Sequence, residues 1–275
     1  MPKIASTTLA SGPGWAVRDV VCAEGPDDRP FEERHDTVCI AAVTEGTFVY
    51  ASEQGRATLA PGALLLGNQG ACFTCGHAHG TGDRCLSFQF ERPFFESVLS
   101  SLKGVRHTAF TLPRLPPLER LLPAIARAEQ ARRDPEALEE FAVALAGDVA
   151  VTVADGDGTH LSIAARDERR IAESLRLIER APEVPLSLSA LAGKARMSPY
   201  HFLRVFRAVV GATPHQFVLG LRLRRAAAKL RNSPATVSAI AYESGFNDLS
   251  EFNRRFRRVM GMTPSAFRRD GGNFR

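Results

Sequence analysis

The C-terminal third of the chain repeats itself. HFLRVFRAVVGATPHQF, from His201, aligns with EFNRRFRRVMGMTPSAF, from Glu251, at an offset of fifty residues. Phe202/Phe252, Arg204/Arg254, Phe206/Phe256, Arg207/Arg257, Val209/Val259, Gly211/Gly261, Thr213/Thr263, Pro214/Pro264 and Phe217/Phe267 are identical. Upstream, LSALA from Leu188 matches VSAIA from Val237 with one residue gained in the turn between the two pieces. A solenoid needs at least about three copies to bury its core. Two copies read as one small module used twice.

Each copy has a helix–turn–helix layout. In the first, Ser189 to Arg196 reads as a short helix and Met197 as the turn. Ser198-Pro199 opens the next helix, with serine as N-cap and proline at the first helical position. In the second, Val237 to Ser244 is the short helix and Gly245-Phe246 the turn. Asp248 opens the next helix, with Glu251 placed for a capping box. Gly211 and Gly261 stop these helices, and Thr213-Pro214 and Thr263-Pro264 start the ones that follow. Helical spacing puts Phe202, Phe206, Val209 and Val210 on one stripe, and Phe252, Phe256, Val259 and Met260 on its counterpart. The opposite faces carry Tyr200, Leu203, Arg204 and Arg207 in the first copy, and Leu249, Ser250, Asn253, Arg254 and Arg257 in the second. Arginines on a wet helix face are common, but arginine is also the residue that reads guanine and pairs with phosphate in a major groove. Between the copies, PHQFVLGLRLRRAAAKLRNS (Pro214 to Ser233) predicts one continuous linking helix of strong helix formers.

Charge divides the chain in the same place. From Arg166 onward there are 21 Lys+Arg against 9 Asp+Glu, and residues 1–165 carry 14 against 21. The net +5 thus conceals a C-terminal part at +12 and an N-terminal part at −7. A basic domain joined to an acidic one points to a polyanion partner for the first and a different task for the second. No apolar run reaches the ~18 residues of a membrane span, and MPKIASTTLASGPGW lacks the pattern of a signal peptide, so the expected location is the cytoplasm without membrane attachment.

These residues resemble a known family. PYHFLRVFRAVVGATPHQF, LRLRRAAAKL and AIAYESGFNDLSEFNRRFRRVMGMTPSAFR are similar to the DNA-binding domain of the AraC family of transcription regulators over about residues 170–269. The resemblance implies base-reading positions at Tyr200, Leu203 and Arg204, then at Asn247, Leu249, Ser250 and Arg254. Leu203 departs from the polar residue often found there and suits a thymine methyl. The resemblance also implies double-stranded promoter DNA and RNA polymerase as partners, a homodimer, and no enzymatic activity. It implies a cupin-like N-terminal barrel that receives an effector.

The N-terminal residues agree with a barrel. AVRDVV, TVCIAAV, GTFVY, ALLLG and LSFQF alternate with turn material such as TEG, SEQG and GNQG at spacings near ten residues. From Pro116 the apolar spacing turns helical in LERLLPAIARAEQARR and again in PEALEEFAVALAGDVAVTVA, which opens on Asp134-Pro135-Glu136. The expected architecture is therefore a two-domain chain: an N-terminal cupin-like β-barrel with an α-helical dimerisation hairpin, then an all-α double helix–turn–helix. Its divisions are a sensor at 1–115, dimerisation helices at 116–153, a linker at 154–166 and DNA-binding modules at 167–270.

One segment stands apart. CFTCGHAHGTGDRC places Cys72, Cys75, His77, His79 and Cys85 within fourteen residues. Read as a hairpin, strand alternation puts Cys75, His77 and His79 on one face and Cys72 on the other, and Cys85 joins the first group in one of two registers. Thiolate and imidazole ligands suit zinc or another thiophilic metal. A redox switch would need an exposed low-pKa thiol beside a resolving partner, for which Cys72, Cys75 and Cys85 are candidates. Cysteines packed as small hydrophobes remain the plain reading. Cys22 and Cys39 read as core and Trp15 as core or pocket wall; His35 and His107 show no partner; and the resemblance implies that His201 and His215 lie near DNA, within reach of phosphate. Two alternatives carry enzymes: a cupin-like metalloenzyme with a DNA-binding appendage, and a DNA-repair protein that accepts a methyl group on cysteine at a four-cysteine zinc site.

Overall fold

The computed structural model describes residues 4–30, 32–77, 82–100, 102, 108–123, 125–126, 135–154 and 163–270. Among the described residues, ten strands come first: β1 (Ile4–Gly12), β2 (Trp15–Cys22), β3 (Glu32–Arg34), β4 (Val38–Gly46), β5 (Phe48–Ser52), β6 (Gly55–Leu59), β7 (Leu64–Gly67), β8 (Cys72–Gly76), β9 (Asp83–Phe90) and β10 (Arg114–Leu115). They form a six-stranded sheet in the order β1-β2-β9-β4-β7-β10 and a four-stranded sheet in the order β3-β8-β5-β6, with antiparallel pairs throughout.

β4 explains why TVCIAAV is apolar on consecutive positions. Its residues Cys39, Ala41 and Val43 face the smaller sheet, where they pack with Phe48, Tyr50, Leu59 and Cys85. Val38, Ile40 and Ala42 face the other way, into a core closed by helices α1 (Arg92–Ser100) and α2 (Pro135–Ala154) through Phe95, Leu99, Leu138, Leu145 and Val149. A strand buried on both faces loses the polar alternation of a half-exposed one. α2 thus serves the barrel with one face, while Val143 and Val151 stay exposed on the other.

The basic half is helical: α3 (Ala165–Arg180), α4 (Leu188–Lys194), α5 (Pro199–Val210), α6 (Pro214–Asn232), α7 (Val237–Glu243), α8 (Leu249–Met260) and α9 (Pro264–Asp270). α6 is the expected continuous connector, and it belongs to two cores. Phe217 and Leu221 pack with Phe202, Phe206 and Val209 of the first module. Leu223, Ala226, Ala227 and Leu230 pack with Phe252, Phe256 and Phe267 of the second. Arg222 adds a polar tie, donating to the Pro182 and Gly245 carbonyls at 2.6 Å each. The segment after β10 is held between the domains. Leu121 and Ile125 belong to the barrel core, and Leu122 and Ala126 to the core of the second module.

Gly211 and Gly261 both sit in the left-handed region, at φ 84° and 77°. A side chain there costs about 1–2 kcal/mol. The two positions differ in surroundings. A Cβ on Gly261 meets nothing within 4 Å, whereas one on Gly211 would lie 2.0 Å from the Pro116 Cβ. Gly261→Ala is expected to cost about 1–2 kcal/mol in chemical denaturation. Gly211→Ala should cost clearly more, because the Pro116 segment must also move; equal losses would contradict the contact.

The two strands of the cysteine–histidine segment do not form a hairpin. β8 pairs with β3 and β5, and β9 pairs with β2 and β4, so the connection after His77 crosses from one sheet to the other. Neither register weighed above occurs: Cys75 lies opposite Tyr50, and Cys85 opposite Val20 and Val43. Long-range pairing to β5 and β4 outcompetes the local turn. The capping box at Asp248 is also replaced. Asp248 accepts from the Ser250 amide at 2.8 Å, while Glu251 turns forward to Arg255 at 2.8 Å. The reciprocal box stands instead at Thr213 and Gln216. Among the described residues, no helix is long and apolar enough to cross a membrane.

Candidate functional site

Two surfaces collect the residues singled out in the sequence. The first is the outer face of the repeated modules. α5 starts on Ser198, whose hydroxyl accepts from the His201 amide at 3.3 Å, with proline in the first turn. Its aromatic stripe is fully buried at Phe202 and Phe206, so the opposite side must face out. There Tyr200 is 78% exposed, and Arg204 and Arg207 are exposed with it. α8 repeats the arrangement, with Ser250, Asn253, Arg254 and Arg257 exposed, and Asn247 exposed just before its N-cap. Leu203 and Leu249 are half-buried; Leu249 packs against the second module's core.

Two groups of arginines in this domain contrast. Arg222, Arg225, Arg255 and Arg268 donate hydrogen bonds to protein groups: carbonyls for Arg222 and Arg268, Glu183 and the Glu179 carbonyl for Arg225, and Glu251 for Arg255. Among the described residues, Arg204, Arg207, Arg254 and Arg257 form no ion pair within 4 Å, although each projects from a rigid, capped helix. Their donors are available to an external acceptor.

The second surface is the end of the barrel where the sheets meet. Cys22 and Asp83 stand opposite each other in the β2–β9 ladder, and His77 arrives from β8 in the other sheet. One ligand atom from each lies within 4.8 Å of the other two. His77 Nε2 is 2.5 Å from Asp83 Oδ2, its Nδ1 is 3.8 Å from Glu24 Oε2, and the Cys85 thiol donates to Asp83 Oδ1 at 3.4 Å. Cys75 packs toward the same interior. Cys72 lines a groove on the outer face of the smaller sheet with Glu32, Ser52 and Thr74. His79 and His107 lie outside the described residues. Cys22, Glu24 and Asp83, absent from the expected set, are supplied by strand pairing across sixty residues of sequence; the only local hint was Asp83 two positions before Cys85 on one strand face.

Burial pushes the Cys22 and Cys39 thiols up to about 11, and Cys75 and Cys85 well above the ordinary thiol range, with Asp83 adding to the last two. None of these four is the exposed, acidic thiol that a redox switch requires. The tetrad of Cys22, Cys39, Cys72 and Cys75 does not converge either: Cys39 lies beside Ser87 at 3.5 Å in the core, and Cys72 faces out. His35 is a core residue, 2.9 Å from the Tyr50 hydroxyl and stacked on Phe73, and burial lowers it to about 4.

The domains touch through polar groups. Thr47, just past β4, donates to Glu179 of α3 at 3.0 Å, and burial raises Glu179 to about 7. Thr58 donates to Glu168, and half-buried Arg114 to the Val210 carbonyl at the end of α5 at 3.1 Å.

Comparison with known proteins assigns both halves. Residues 19–146 match the model of the AraC-like ligand binding domain, and residues 191–270 that of a helix-turn-helix domain. The Tn10 transposon's TetD protein of Escherichia coli is 34% identical over 100 residues, covering 36% of this chain and 72% of TetD. The chain belongs to the AraC family of transcription regulators. Other family relatives match over similar lengths. The bifunctional transcriptional activator and DNA repair enzyme Ada of Escherichia coli K12 is 36% identical over 104 residues, or 38% of this chain and 28% of Ada. The regulator MtrA of Neisseria gonorrhoeae is 29% identical over 105 residues, or 38% of this chain and 35% of MtrA. The match thus spans about a third of these two relatives. The AraC-type architecture expected from the sequence is present: paired antiparallel sheets, then a helical double module.

Proposed function

We propose that this AraC-family chain is a one-component regulator that binds promoter DNA through α5 and α8 and receives its signal in the barrel. The observation that carries the reading is the pair of capped helices, each presenting arginines without ion-pair partners among the described residues. Arg204, Arg207, Arg254 and Arg257 would bind phosphates and guanines, with Tyr200, Leu203, Asn247, Leu249, Ser250 and Asn253 adding base and sugar contacts. The core shared through α6 holds the helices in fixed relation, so one chain reads two neighbouring segments of one DNA face. Val143 and Val151 on the outer side of α2 support self-association there, and RNA polymerase in the cytoplasm is the downstream partner.

Genome-wide mapping of bound sites followed by anisotropy titration on a recovered fragment tests this reading. Binding should be sequence-selective and should weaken by about 10³-fold between 50 and 200 mM salt if some six phosphates are contacted. Binding that is indifferent to both sequence and salt would exclude it.

A further inference from the structure

The mouth of the barrel holds a cluster that DNA binding does not use. Three chain segments are drawn together there at close range. Gly46 lies opposite Asp83 in the β4–β9 ladder, and a Cβ on Gly46 would come 2.3 Å from the Gly82 carbonyl oxygen. Gly82 in turn donates its amide to the Glu24 carbonyl at 2.7 Å, and a Cβ on it would meet the Cys22 carbonyl oxygen at 2.8 Å. Both glycines have positive φ, 79° and 75°, a conformation that suits glycine and permits this approach.

What the closure buries is unusual. The side chains of His77, Asp83 and Glu24 are 1%, 7% and 10% exposed. Two carboxylates therefore leave water together with one imidazole. Polar groups buried this deeply are costly unless partners or a metal satisfy them. His77 Nδ1 also finds no hydrogen-bond partner among the described residues. Cys22 brings a sulfur to the same point. One sulfur, one nitrogen and carboxylate oxygens match the ligand preference of zinc-like ions. Calcium and magnesium favour oxygen alone.

We propose that Cys22, His77 and Asp83 bind one thiophilic divalent metal ion, with zinc as the type case, and that Glu24 orients the imidazole from its other nitrogen. On binding, the Cys22 thiol gives up its proton to solvent, and the imidazole binds as the neutral ring in place of its hydrogen bond to Asp83. The site lies one residue from the contact between the domains. Asp83 pairs with Gly46, and the next residue, Thr47, donates to Glu179 of α3. Resting on the regulator reading above, the ion is the signal, and it acts on the position of α3 relative to the barrel.

The test uses full-length reduced protein, stripped with chelator and dialysed against zinc chloride or cobalt chloride. About one zinc per chain should be retained, and cobalt should give a thiolate-to-metal charge-transfer band. Cys22→Ser should abolish that band and weaken zinc binding by at least the ~100-fold that even outer-shell losses can cause, while Cys72→Ser leaves both unchanged. Because Cys22→Ser could also unfold the mouth, proton release on zinc uptake by the unaltered chain is read in parallel, with about one proton per zinc expected from the Cys22 thiol. Zinc should also shift affinity for a mapped promoter at least about fivefold. Zinc below about a tenth per chain, a cobalt spectrum lacking the thiolate band, or zinc uptake without proton release removes the site. Unchanged promoter affinity with zinc bound removes its signalling role. Promoter binding without zinc binding defeats the metal site alone; zinc binding without promoter binding defeats the regulator reading and leaves the site standing.

Discussion

Arg204→Glu combined with Arg254→Glu is expected to lose at least a thousandfold in affinity for a promoter fragment, with the fold intact. The two residues are related by the repeat, each in the second turn of its helix, and both are exposed. A good arginine contact to a base edge is worth about 1–3 kcal/mol, and replacing the cation by an anion adds repulsion from phosphate. Two such losses at about 2 kcal/mol each come to roughly 700-fold at 1.4 kcal/mol per factor of ten, and the added repulsion carries the double variant past a thousandfold. Neither arginine forms an ion pair among the described residues, so stability should change by less than about 0.5 kcal/mol. Anisotropy titration checks the first statement and thermal melting the second. Retained affinity would show that these helices are not the DNA-reading elements. A melting loss would show instead that the arginines serve the fold. Single variants carry further information, because reversal at only one module should leave weak binding through the other.

The largest loss of stability is expected at Phe256→Ala. Phe256 is fully buried, with Phe267 edge-on at 5.3 Å and Phe252 tilted at 5.4 Å. Truncating a buried phenylalanine costs about 3–5 kcal/mol through lost transfer energy and the cavity left behind. That is a large share of the ~5–15 kcal/mol of a typical domain. Because the same core contains Leu223, Ala226 and Leu230 of α6, the damage should spread along the connector. Hydrogen exchange should show α7, α8 and α9 losing protection together. The barrel strands should keep theirs, since their core is built from other residues. Protection lost uniformly across both domains would mean that they unfold as one unit. Phe206→Ala, the repeat-related change, should act in the same way on the first module, where Phe206 contacts Phe202 and Phe217.

Much of the helical half is legible in the residues because its determinants are local. Serine and threonine caps, proline in first turns, glycines at C-caps and an apolar stripe at helical spacing all act within a few residues. The exception at Glu251 has the same cause: two local partners, the Asp248 amide and the Arg255 guanidinium, competed, and the charged donor won. The strands of the barrel were legible where both faces are buried, as in β4, or where turn residues bound them. β1 was missed. It is an edge strand whose residues are largely exposed, so IASTTLASG carries no apolar alternation to betray it.

By itself the sequence determined a repeated, capped, basic helical module behind an acidic β domain, since every one of those signals is written over short spans. The cluster at the barrel mouth was decided by the tertiary structure alone. CFTCGHAHGTGDRC marked the right neighbourhood, yet β8 and β9 belong to different sheets, and the residues that gather around His77 and Asp83 include Cys22 and Glu24. Side-chain alternation says which residues share a face of one strand. Which strands lie side by side is set by long-range hydrogen bonding and by the burial of both faces of β4, and no local pattern encodes that.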